Sequence, residues 1–120
     1  MLINQTTGQT LASRVRLCDT FWIKLRGLMF RRALDPDEAL VFCYGRESTA
    51  ETSIHMFFVF FDIAVLWLDA ERRVVDKVLA KPFRPYYASS KPAQYFCEGD
   101  PGLLAQAAIG DQLAFEESGG

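Results

Sequence analysis

His55 is the only histidine in the chain, and it is the side chain whose ordinary titration falls near neutral pH. Paired with Asp62 or Glu98 it could serve as one half of a general acid–base couple. Its neighbours Ile54, Met56, Phe57 and Phe58 are apolar, which fits equally a core or rim histidine with one satisfied hydrogen bond. Arg26 carries a planar fork of donors suited to a carboxylate or phosphate. It could instead pair with Glu98 and hold a helix on a sheet. Arg84 lies in an aromatic run, Phe83 to Tyr87, of the kind found at recognition surfaces, with Tyr86 beside it. The competing reading has Phe83 and Tyr86 plugging one open end of the fold.

Other chemistries find little material. Cys18, Cys43 and Cys97 are odd in number and widely spaced, a poor disulfide framework, and no Cys-x-x-Cys pair occurs. With a single histidine a zinc site would lack ligands, so no metal and no cofactor is expected. Cys43 and Cys97 fall in apolar runs, where thiols stay protonated and inert. No nucleophile elbow, phosphate loop or dinucleotide fingerprint is present. Gly99-Asp100-Pro101-Gly102 reads as a turn into a helix.

The elements that must position these residues are short. Leu2 to Asn4 and Thr10 to Arg16 read as strands around a turn at Thr7-Gly8. A helix follows, capped by Asp19 or Thr20 and carrying Phe21, Leu25 and Leu28 on one face, with Gly27 at its end. Asp35-Pro36-Asp37 is a turn, Ala39 to Tyr44 a buried strand and Gly45 to Thr52 a polar loop. Phe61 to Leu68 is apolar on both faces, which predicts a central strand covered on both sides. Asp69 to Arg72 turns it into Arg73 to Leu79. Prolines 82, 85 and 92 mark a loop. Gln94 to Glu98 is a strand, Pro101 to Ala108 a short helix ended by Gly110, and Gln112 to Phe115 a last strand. The sum is a mainly β fold, an antiparallel or mixed β-sandwich or a partly open barrel, with two short helices. Residues 1–115 form one domain and 116–120 a short flexible tail.

Four stretches, taken in order, resemble the small bacterial and archaeal family known as domain of unknown function one-nine-two. They are Arg26-Gly27-Leu28-Met29-Phe30-Arg31; Ile54-His55-Met56-Phe57-Phe58 with the later Leu66-Trp67-Leu68-Asp69; Arg84-Pro85-Tyr86; and Glu98-Gly99 with Gly110-Asp111. The resemblance implies a compact, mainly β fold and no established activity. A common family form of the central stretch is Ile-His-Thr-Phe-x-Met-x-Phe-Pro-Ile-Asp. Here Met56 replaces the threonine, Val59 the methionine, Asp62 the proline and Ala64 the aspartate. On a strand Asp62 and Ala64 would share a face, so Asp62 would stand in for the missing carboxylate about 7 Å away. The alternative is that this chain has lost a polar site and kept the scaffold.

Composition sets the remaining bounds. At 120 residues with half of them apolar, the chain buries a real core without staples. Thirteen basic against fifteen acidic residues, interspersed, leave a net charge of −2 and no basic run for nucleic acid or an anionic membrane surface. The most apolar segment, Ile54 to Leu68, is shorter than the roughly 20 residues a membrane helix needs. The N-terminus lacks signal-peptide features, and the thiols suit a reducing compartment, so the expected location is cytoplasmic. The function expected first is a binding module. Its cleft, rimmed by Arg26, His55, Arg84 and Tyr86, would take a small polar ligand or a peptide, with Glu98 among the ligand-binding candidates. The alternatives are an enzyme using His55 with Asp62 or Glu98, and a homodimer or protein-interaction scaffold docking through Met56 to Phe61.

Overall fold

Eight strands and one helix make up the regular structure of a computed structural model that describes residues 1–19, 28–29 and 31–117. β1 (Leu2–Asn4), β2 (Gln9–Ala12) and β8 (Leu113–Phe115) form a three-stranded sheet in the order β2-β1-β8. β3 (Arg14–Cys18), β4 (Glu38–Ser48), β5 (Ile63–Leu68), β6 (Val74–Ala80) and β7 (Ala93–Gly99) form a five-stranded sheet in the order β3-β4-β7-β5-β6. α1 is a single turn, Leu103–Gln106. Neither sheet closes on itself, so the structure has the sandwich's open layers and no closed barrel.

Local chemistry explains most of the elements. Gly8 at φ +80° makes the tight turn between β1 and β2, and Gly110 at φ +97° leads toward β8. β3 and β4 run parallel, an arrangement that a tight hairpin turn cannot join. The other pairs are antiparallel, and the β5–β6 hairpin turns at Asp69, whose carboxylate accepts from the amides of Glu71 and Arg73. β5 is buried at all six positions, as its two-sided apolar pattern predicts. β4 runs on through Ser48, into the stretch expected as a loop, because Ser48 regains pairing with Ala93 beyond an irregularity in the ladder. The expected helix at Pro101–Ala108 shrinks to α1, where Lys77 Nζ donates to the Leu104 and Ala107 carbonyls at 2.6 and 3.0 Å. It is the one helix among the described residues. The helix expected after Asp19 lies outside them, apart from Leu28. None of the described helices is long and apolar enough to cross a membrane.

The five-stranded sheet separates two cores. Even positions of β5 (Ala64, Leu66, Leu68), with Val41 and Cys97, face the smaller sheet and pack on Leu2, Leu11, Leu113 and Phe115. Odd positions (Ile63, Val65, Trp67), with Phe42 and Phe96, face away from it and pack under Ile54, Met56 and Val59. The Phe42 and Phe96 rings stack at 4.4 Å, an added attraction of about 1 kcal/mol.

Gly99 shows how close α1 comes to this sheet. A methyl group there would lie 2.4 Å from Leu103 Cδ1, and Leu103 is buried. Gly99→Ala is therefore expected to destabilise the fold by about 1–2 kcal/mol through overpacking. In urea denaturation the G99A/L103A double variant should lose less than the sum of the two single changes.

Candidate functional site

Two connections on the outer side of the second core carry most of the residues singled out for chemistry. One joins β4 to β5 through residues 49–62, the other β6 to β7 through 81–92. Strand-like main-chain bonds bind them together. Ile54 and Tyr87 exchange N–H···O bonds at 2.8 and 2.9 Å, the Met56 amide donates to the Arg84 carbonyl at 2.8 Å, and the Phe83 amide donates to the Met56 carbonyl at 2.8 Å. Lys81 Nζ pairs with Asp62 at 3.1 Å, and the Tyr87 hydroxyl accepts from the Lys81 amide.

Side chains sort sharply across this double loop. Ile54, Met56 and Val59 point into the core. Phe57, Phe58, Phe60, Phe83 and Tyr86 retain 44, 46, 52, 47 and 64% of their surface in solvent. Phe83 ties the outer rings together, 6.2 Å from Phe58 edge-on and 5.5 Å from Phe60. Phe58 and Phe83 adopt φ +59° and +61°, in the left-handed region that costs a bulky residue about 1 kcal/mol or more. The surrounding hydrogen bonds hold them there.

His55 is exposed and sits beside Phe57, ring to ring at 5.3 Å. The Phe57 amide donates to its Nδ1 at 3.2 Å. A neutral ring with Nδ1 as acceptor carries its hydrogen on Nε2, leaving that N–H as a donor. Arg84 and Tyr86 are exposed on the partner loop. Arg26 lies outside the described residues.

Glu98 is buried. It is 7% exposed, because even positions of β7 face the second core with Phe96. Burial pushes its carboxyl up to about 8. Asp62 precedes β5, which begins at Ile63, so the two-residue repeat that would align it with Ala64 does not reach it. Ala64 is buried between the sheets, whereas Asp62 is half-exposed and paired with Lys81. His55, Asp62 and Glu98 make no hydrogen bonds to one another. Asp62 lines a recess of about 200 Å³ with Arg32, Leu34, Phe61, Asp100 and Pro101, and His55 and Tyr86 are not part of its wall. Burial drives the Cys18 and Cys97 thiols up to about 12, which suits packing and not nucleophilic attack.

The outward phenylalanines at 57, 58 and 60 were legible only as an apolar run exceeding what the core can cover. Their grouping with Phe83 depends on main-chain bonds that no side-chain pattern announces.

Comparison with known proteins agrees with this architecture. The family DUF192, described as an uncharacterized ACR, matches residues 2–115. The UPF0127 protein TK1120 of Thermococcus kodakarensis is 47% identical over 104 residues, covering 87% of this chain and 64% of that protein. The chain therefore spans less than two thirds of that relative's length. A UPF0127 protein of Thermococcus sibiricus is 40% identical over 118 residues, covering 97% of this chain and 75% of that one. A crystal structure of a protein of unknown function from Novosphingobium aromaticivorans superposes with a TM-score of 0.84 over 95% of this chain and 82% of that one. Its 22% identity makes this a likeness of fold.

Proposed function

We propose, for a chain that belongs to the DUF192 family, a binding module whose ligand surface is the aromatic face of the 54–61 and 81–87 loops. One observation carries the reading. Five large aromatic side chains stand exposed on two loops that are cross-bonded to each other and anchored through Ile54, Met56 and Val59 in the core. An exposed apolar patch signals an interaction site; here the Phe83 ring meets those of Phe58 and Phe60, and backbone strain at Phe58 and Phe83 accompanies the patch. Phenylalanine rings supply contact area without hydrogen-bonding groups, which favours a peptide presenting apolar side chains over a small polar ligand. Because the loops are fixed before binding, little ordering entropy opposes association.

Selection from a displayed random peptide library tests this. Peptides enriched on the native chain should lose at least tenfold in affinity on the F58S/F60S variant, while its unfolding midpoint stays close to native. Peptides that bind both proteins equally, or a selection that enriches nothing, would overturn the reading.

A further inference from the structure

We infer, resting on that reading, that the segment this face accepts is acidic as well as apolar: a stretch of a partner protein carrying carboxylates beside its large side chains. Residues 54–61 and 81–87 contain no aspartate or glutamate but include Lys81, Arg84 and His55. The adjoining acid, Asp62, is engaged by Lys81 at 3.1 Å. The exposed Arg84 guanidinium makes no ion pair among the described residues, so its fork of donors is open to a carboxylate. His55, exposed on the neighbouring loop with Nδ1 bound to the Phe57 amide, offers Nε2–H as a further donor. The face is thus rich in donors and poor in acceptors, on a chain whose net charge is −2. Arg84 and the His55 Nε2–H are the donors that a partner's carboxylates would meet here.

The same charges disfavour other occupants. A two-fold pairing of this face with itself would bring like charges together around Arg84. Lys81 and Arg84 fall short of the roughly 4–8 clustered cations that recruit a protein to anionic lipid.

The experiment uses the full chain and three fluorescent 12-residue peptides with identical Phe and Leu spacing, flanked by Asp/Glu, by Ser/Gln or by Lys/Arg. The acidic peptide should bind at least tenfold more tightly than the neutral one at 50 mM salt. That advantage should shrink at 300 mM, and in R84Q the ratio of acidic to neutral affinity should fall to about one, whatever the absolute affinity for the neutral peptide. R84K should keep the salt dependence and lose part of the advantage. Equal binding of acidic and neutral peptides, both abolished by F58S/F60S, would overturn the acidic assignment and leave the module standing. Binding of all three that ignores F58S/F60S would overturn the module itself. No peptide binding, combined with association to vesicles containing one-fifth phosphatidylserine or with self-association lost in F58S/F60S, would overturn both.

Discussion

Trp67→Ala should lower the free energy of unfolding by about 4 kcal/mol, within the range for truncating a buried tryptophan. Trp67 lies on β5, is 1% exposed and packs among Ile63, Val65, Phe42 and Phe96. Its indole N–H donates to the Thr52 carbonyl at 2.9 Å in a buried bond. Thr52 in turn donates its hydroxyl to the Ser48 carbonyl at 2.6 Å, which closes the turn leading into the aromatic loop. Trp67 therefore supports the core and the approach to the aromatic loop together. Trp67→Phe separates the two roles: it keeps most of the packing and orphans the Thr52 carbonyl, at a cost of about 1–3 kcal/mol. Urea titration gives both numbers. Amide hydrogen exchange at Met56 and Phe83 should accelerate more in W67F than its global loss of stability explains. Unchanged exchange there would show that the loop stands without the indole bond.

Glu98→Gln should stabilise the protein at neutral pH, an unusual outcome for a buried substitution. Glu98 titrates near 8 in the fold and near 4.5 when unfolded. Below 4.5 both states hold the proton and the ionisation penalty vanishes. Between 4.5 and 8 the unfolded chain ionises while the fold keeps its proton, so stability falls as pH rises, by about 1.4 kcal/mol per pH unit. Above 8 the loss levels off. Glutamine has no such titration but must satisfy its own amide, so the expected net gain at pH 7 is roughly 2 kcal/mol. Thermal or urea unfolding from pH 4 to 8.5 should show the native and E98Q curves converging at the acid end and separating toward the alkaline end. A destabilised E98Q would instead place a cation on Glu98 in solution, the pairing with Arg26 that the sequence suggests.

How far the sequence reveals the fold depends on where each signal is stored. β5 was legible because apolar residues at both parities demand two covered faces, and all six of its residues are buried. The β1–β2 turn was legible because Gly8 marks positive φ. The extension of β4 was not, since Gly45, Arg46, Glu47 and Ser48 are polar and their strand character comes from the partner ladder. The site divides the same way. His55, Arg84 and Tyr86 were picked out by residue type, and all three are exposed on the paired loops. Glu98 is legible in the sequence only as an acid at a strand end, a partner for His55 or Arg26, and only the layer above the sheet reveals its burial. Phe58 and Phe83 carry positive φ with no glycine to announce it, so their alignment rests on hydrogen bonds between segments about 25 residues apart.

The five-stranded sheet also divides the molecule's evolutionary liabilities. Even positions of β5 answer to the small sheet and odd positions to the loops, with no side chain serving both. The exposed positions Phe57, Phe58, Phe60 and Phe83 can therefore change without disturbing the layer on the opposite side of the sheet. Saturation mutagenesis scored for folding alone should find Phe57, Phe58 and Phe60 permissive and Leu66 and Leu68 intolerant.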